Sequence, residues 1–169
     1  RVVAITGSAG KTGTKDTLAM ALAKQGRTSA THGNLNNQWG LPLSLARMPM
    51  DSEFGVFEMG MNHTGEIAHL ATLVRPHLAV ITNVEAAHLA FFNSEQDIAR
   101  AKAEIFQGLD SGGKVLLNRD NRHFQHLQLL AKRASVQHIF SFGSEREAEF
   151  QLLYCTLTAS GSNVHASIM

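Results

Sequence analysis

Lys11 and Thr12 follow a glycine-punctuated turn, Thr6-Gly7-Ser8-Ala9-Gly10, that interrupts the apolar run Val2 to Ile5. A strand, a small turn and a Lys-Thr pair opening a helix is how a phosphate-binding loop is built. Backbone N–H groups of Gly7, Ser8, Ala9 and Gly10 and the helix N-terminus face the anion, Lys11 adds a point charge, and the Thr12 hydroxyl can reach Mg²⁺. The common form, G-x-x-x-x-G-K-[ST], needs its first glycine at Ile5. Here Gly7 and Gly10 enclose only Ser8 and Ala9, which argues against an ordinary P-loop kinase or GTPase.

Four further places carry usable chemistry. Glu58 closes the apolar run Phe54-Gly-Val-Phe, so its carboxylate lies at a strand end, where open α/β sheets bind ligands. Gly33-Asn34-Leu35-Asn36-Asn37 either closes a surface Asx-turn or offers amides to a polar ligand. His63, next to the N-cap candidate Asn62, and His88, in a loop after a fourth strand, could each touch a ligand or be bland loop residues. Lys102 falls inside an apolar helical stripe formed by Ile98, Ala101, Ile105 and Leu109. A lysine there either snorkels out along its stem or is desolvated, and desolvation keeps part of the amine neutral and nucleophilic.

The elements that must position these groups alternate. Strands are expected at Val2–Ile5, Thr28–Thr31, Phe54–Gly60, Leu78–Asn83, Lys114–Asn118 and Val136–Phe142. Helices are expected at Lys11–Gln25, Trp39–Met48, from Asn62 to Arg75-Pro76, from Ser94 to about Leu109, and at Phe124–Arg133. Ser94-Glu-Gln-Asp97 resembles a capping box. The order implies an α/β fold of P-loop type, a mostly parallel sheet flanked by helices. Phe150–Ile168, broken at Ser160-Gly-Ser-Asn163, is expected to leave it as a small antiparallel hairpin.

With 169 residues, 44% hydrophobic and 17% charged, the chain can bury one sizeable core. A formal net charge of +1 points to no nucleic-acid partner. The single cysteine, Cys155, suits a reducing cytoplasm and excludes an internal disulfide or a cysteine-rich zinc site. No apolar run nears the about 18 residues that span a membrane. The abrupt start on a core strand leads us to expect part of a longer protein.

Thr6–Thr12, Gly33–Asn37, Glu58-Met-Gly-Met-Asn-His63-Thr-Gly-Glu66, Asn83-Val-Glu-Ala-Ala-His88 and Lys102-Ala-Glu-Ile-Phe106 together resemble the central domain of the Mur ligases. These are bacterial, ATP-dependent, amide-bond-forming enzymes of peptidoglycan precursor synthesis. The second and third stretches are most similar to the branch that joins D-alanyl-D-alanine to UDP-N-acetylmuramoyl-tripeptide through an acyl phosphate. The resemblance covers nearly the whole chain. It implies that residues 1–169 are the ATP-binding central domain of a cytoplasmic monomer, with a UDP-binding domain before it and a closing domain after it. It implies ATP bound at Gly7–Thr12 and catalytic roles for Lys11, Lys102 and His88. It implies two Mg²⁺ ions near Thr12, Glu58, His88 and Lys102, the last as a carbamate, with Asn34, Asn36, Asn37 and His63 towards the muramoyl-peptide.

One departure is visible: related sequences read His-Leu-Glu-Phe-Phe-Gly-Ser where this chain has His88-Leu-Ala90-Phe-Phe-Asn93-Ser94. Two alternatives stay open, a ligase of the same superfamily with another substrate (meso-diaminopimelate, lysine or folate glutamylation) and a nucleotide-binding module without catalysis. Alone, this span is expected to bind nucleotide weakly at most and not to turn over.

Overall fold

A computed structural model describes residues 1–33, 35–86 and 91–168. The strands are β1 Val2–Thr6, β2 Thr28–Ala30, β3 Phe54–Glu58, β4 Leu78–Ile81, β5 Lys114–Asn118, β6 His138–Gly143, β7 Phe150–Thr158 and β8 Gly161–Ile168. The helices are α1 Lys11–Leu22, α2 Gly40–Ala46, α3 Glu66–Val74, α4 Glu95–Ala103 and α5 Phe124–Arg133, with a 3₁₀ segment, Glu104–Gly108, continuing α4. The strands form one sheet in the order β2-β3-β1-β4-β5-β6-β7-β8. All neighbours run parallel except the antiparallel pair β7–β8.

Alternation along the central strands sorts the core onto two faces. Ile5, Val56 and Val80 pack under Leu18, Ala19 and Leu22 of α1. Ala4, Phe57, Ala79 and Val115 face a larger cluster that takes in Ile67 and Leu70 of α3, Ile98 and Ala101 of α4, and Leu127 of α5. Both faces are covered, which is why these strands read as continuous apolar runs. Ile5 pairs with Glu58 and Thr6 with Ile81, so β1, β3 and β4 finish on one rim.

Three local expectations change. The antiparallel hairpin is present, but it stays joined to the main sheet, since Phe142 and Gly143 of β6 pair with Phe150 and Gln151 of β7. Asn62 does not cap α3; the N-cap is Gly65, in the left-handed region at φ 91°, and the Asn62 N–H instead donates to Glu66 Oε2 at 2.7 Å. The Ser94 helix does not run as one α-helix to Leu109. It tightens at Glu104, and Gly108 lies so close to α3 that a Cβ there would sit 2.2 Å from the Ala71 carbonyl. Ser94 does cap its helix, accepting the Asp97 N–H at 3.2 Å, while its hydroxyl donates to the Asp97 carboxylate.

Candidate functional site

The loop between β1 and α1 is held from outside itself. At Gly7 the backbone sits at φ 153°, and a Cβ there would lie 1.9 Å from Thr82 Oγ1. Gly10 caps α1 at φ 79°, in the left-handed region open to glycine. The Thr82 hydroxyl donates to Ala9 O at 2.6 Å. The N–H of Ser8 donates to Asn83 O at 3.1 Å and that of Ala9 to Asn83 Oδ1 at 2.8 Å. Two loop amides expected to face an anion are thereby engaged by the end of β4. The first intrahelical bond is Thr14 N to Gly10 O, so the amides of Lys11, Thr12 and Gly13 precede the helix ladder at the dipole's positive end. Lys11 Nζ folds back to donate to Gly7 O at 2.9 Å.

Residues two apart in a strand share a face, so Glu58 points with Val56 towards α1. There it meets Thr12, whose hydroxyl donates to Glu58 Oε2 at 2.8 Å. Asn36 Nδ2 donates to the other oxygen, Oε1, at 2.7 Å, and the Glu58 N–H reaches Thr31 Oγ1. The carboxylate is 2% exposed. Its two side-chain donors among the described residues, a hydroxyl and an amide, are both neutral. A buried carboxylate held by neutral donors has room in its electrostatics for a cation, and hydroxyl plus carboxylate is a hard oxygen donor set of the kind magnesium takes.

Lys102 does not snorkel to open solvent. It is 2% exposed, and it lines a cleft of about 420 Å³ together with Gly7 and Lys11. Burial lowers its pKa to about 7, and the positive charge of Lys11 adds to the effect. The amine is therefore partly neutral near neutrality, able to act as a nucleophile.

The remaining candidates divide. Asn36 and Asn37 line the same cleft. Asn37 also forms the Asx-turn, its Oδ1 accepting the N–H groups of Trp39 and Gly40 at 3.1 and 2.9 Å and so starting α2. His63 is exposed and packs T-shaped against Phe91, with centroids 5.1 Å apart, outside the cleft lining. Asn34 and His88 lie outside the described residues, as does Ala90. Gln38, Trp39, Gly60, Met61, Asn62 and Glu66, which no sequence signal marks as binding residues, complete the cleft wall. Asn83 was missed as well, although its place directly after the β4 run, next to a glycine loop, was a usable signal.

Asn83→Ala removes the acceptor for the Ala9 N–H. The expected cost is about 1–2 kcal/mol in denaturant unfolding, with weaker nucleotide binding as the loop loosens. Unchanged unfolding and binding would refute this role.

The sequence profile described as the Mur ligase middle domain matches residues 5–168. The chain belongs to the Mur ligase family. It is similar to the UDP-N-acetylmuramoyl-tripeptide--D-alanyl-D-alanine ligase of Rickettsia prowazekii, 41% identical over 166 residues that make up 98% of this chain and 36% of the relative. Its fold matches MurF from Acinetobacter baumannii with a TM-score of 0.91 at 33% identity, covering 99% of this chain and 36% of that one. It also matches the MurF ligase from Thermotoga maritima in complex with ADP, with a TM-score of 0.87 at 30% identity, covering 99% and 38%. This Mur ligase chain thus spans about a third of the length of the curated relatives it matches. Among its described residues no helix is long and apolar enough to cross a membrane.

Proposed function

We propose that residues 1–169 are the ATP-binding central domain of a longer cytoplasmic ligase that joins D-alanyl-D-alanine to UDP-N-acetylmuramoyl-tripeptide. The observation that carries this reading is the meeting of Lys11 and Lys102 in one cleft, beside the Thr12–Glu58 oxygen pair. The tripeptide carboxylate attacks the γ-phosphorus of ATP, the bond to the β-phosphate oxygen breaks, and ADP leaves. The amine of D-alanyl-D-alanine then attacks the acyl carbon, phosphate departs and the amine loses a proton. Phosphoryl transfer asks mainly for positioning and charge neutralisation, and the Lys11 cation lining the cleft suits that demand.

Thr12 and Glu58 would hold Mg²⁺, which when bound offsets charge on the phosphoryl oxygens. Lys102 as an ammonium is a donor only and cannot bind a cation. Its reaction with carbon dioxide would convert it to a carbamate able to do so, and His88 would join the same set. Asn36 and Asn37 line the side where the muramoyl-peptide would lie, with Asn34 two residues before Asn36 and His63 directly after the lining residue Asn62.

The test is ADP release by the purified full-length ligase with UDP-N-acetylmuramoyl-tripeptide and each of three amines. Turnover with D-alanyl-D-alanine well above meso-diaminopimelate and glutamate is expected. Preference for either of the other two, or no turnover with any, overturns the reading.

A further inference from the structure

Glu104 lies two residues beyond Lys102 and faces the other way, into the N-terminus of α3. It is 8% exposed. Both of its oxygens accept the Gly65 N–H, at 2.8 and 2.9 Å, and Oε2 also accepts the Ala68 N–H at 3.2 Å. Gly65, as N-cap, has no side chain with which to cap its own helix. The nearest carboxylate on α3 itself, Glu66, is turned back the other way. Its Oε2 accepts the N–H groups of Asn62 and His63 at 2.7 and 3.2 Å. A carboxylate from 39 residues away in sequence therefore does the capping, favoured by the helix dipole and by partial burial.

The two segments joined in this way both contribute side chains to the cleft lining. Lys102 comes from α4, while Asn62 and Glu66 come from the turn and first residue of α3. The close packing of Gly108 on the Ala71 carbonyl adds a second contact between the same two segments. We infer that Glu104 is a positioning residue that sets the spacing between Lys102 and the Asn62–Glu66 wall, and so aligns the carboxylate substrate with the phosphate loop. The inference rests on the ligase reading above and deepens it. Among the described residues the hydrogen bonds of Glu104 go to Gly65 and Ala68 and not to the loop of Gly7–Thr12, so its effect belongs to the peptide side of the reaction.

The experiment uses the full-length ligase with Glu104→Ala and Glu104→Gln. For Glu104→Ala the expected result is a KM for UDP-N-acetylmuramoyl-tripeptide raised about tenfold and a kcat lowered about tenfold, while KM for ATP stays within about twofold. Glu104→Gln keeps one acceptor oxygen and the side-chain shape, and should recover part of the loss; it also serves if the alanine variant does not fold. Kinetics unchanged in both variants would overturn the inference. So would a rise in both KM values together with a fall in the folded fraction, which marks a purely structural role. Failure of the parent enzyme to ligate would instead count against the ligase reading. In that case cyanate labelling decides separately: the ratio of Lys102 to Lys11 modification should rise about threefold in Glu104→Gln, and an unchanged ratio overturns the positioning role.

Discussion

Lys11→Ala in the full-length ligase should lower kcat/KM by about a thousandfold, equivalent to about 4 kcal/mol of transition-state stabilisation. Among the described residues Lys11 Nζ donates only to Gly7 O, a bond that anchors nothing beyond the loop itself. Unfolding stability should therefore change by less than about 1 kcal/mol. On the ligase reading, the cation's value lies in the phosphate it would face at the amides of Lys11, Thr12 and Gly13. A second consequence follows from the same charge. Lys11 helps to hold the Lys102 pKa down, so its removal should raise that pKa. Steady-state kinetics and denaturant unfolding together check the prediction; a variant within tenfold of the parent would remove Lys11 from the transition state.

Lys102 should show a conflict between stability and activity. Its amine is largely neutral in the folded protein above about pH 7, whereas the unfolded chain keeps the proton up to about 10.5. The unfolded state thus binds more protons between these values. Stability from this site is lowest below pH 7 and recovers as pH rises, by up to about 1.4 kcal/mol for each pH unit. Lys102→Met keeps the stem and discards the buried charge. It should be about 3 kcal/mol more stable than the parent at pH 6, with the advantage shrinking towards pH 10. The same variant, and Lys102→Ala, should lose activity by about a thousandfold. Partial return of Lys102→Ala activity with small carboxylic acids would mark a missing carboxylate at that position and support the carbamate. Parallel stability curves for Lys102→Met and the parent, or full activity of Lys102→Ala, would sink the account.

How much of this was legible beforehand depended on how local the causes are. Lys114–Asn118 and Phe124–Arg133 emerge with their expected bounds, because an apolar run after Gly112-Gly113 and a one-sided helical pattern are both short-range signals. The side that Glu58 faces follows from the two-residue period of a strand, and its partner Thr12 from the glycine turn. The oddity of Lys102 was visible on a helical wheel, and only packing could decide between snorkelling and burial. By contrast, the start of α3 was misread because Asn62 is a good cap by type, while the actual capping carboxylate, Glu104, is remote in the chain. The 3₁₀ ending of the Lys102 helix has the same kind of origin: Gly108 meets the Ala71 carbonyl only once α3 is in place. The engagement of the Ser8 and Ala9 amides by Asn83 likewise needed β4 to lie beside β1.

The order of strands separates two jobs. The phosphate loop leaves β1, flanked on either side by β3 and β4, and its supports Glu58 and Asn83 come from those two neighbours. The amide-bearing loop that ends in Asn36 and Asn37 instead follows β2, the edge strand on that side of the sheet. An outer strand has one neighbour, so insertions and exchanges after it disturb less of the sheet than changes after a central strand. On the ligase reading, selection could therefore rewrite substrate recognition at Asn37 on the margin, while Asn36, tied to Glu58, stays with the central strands. A single frame could in this way diverge into a set of enzymes that share an energy source and differ in what they join.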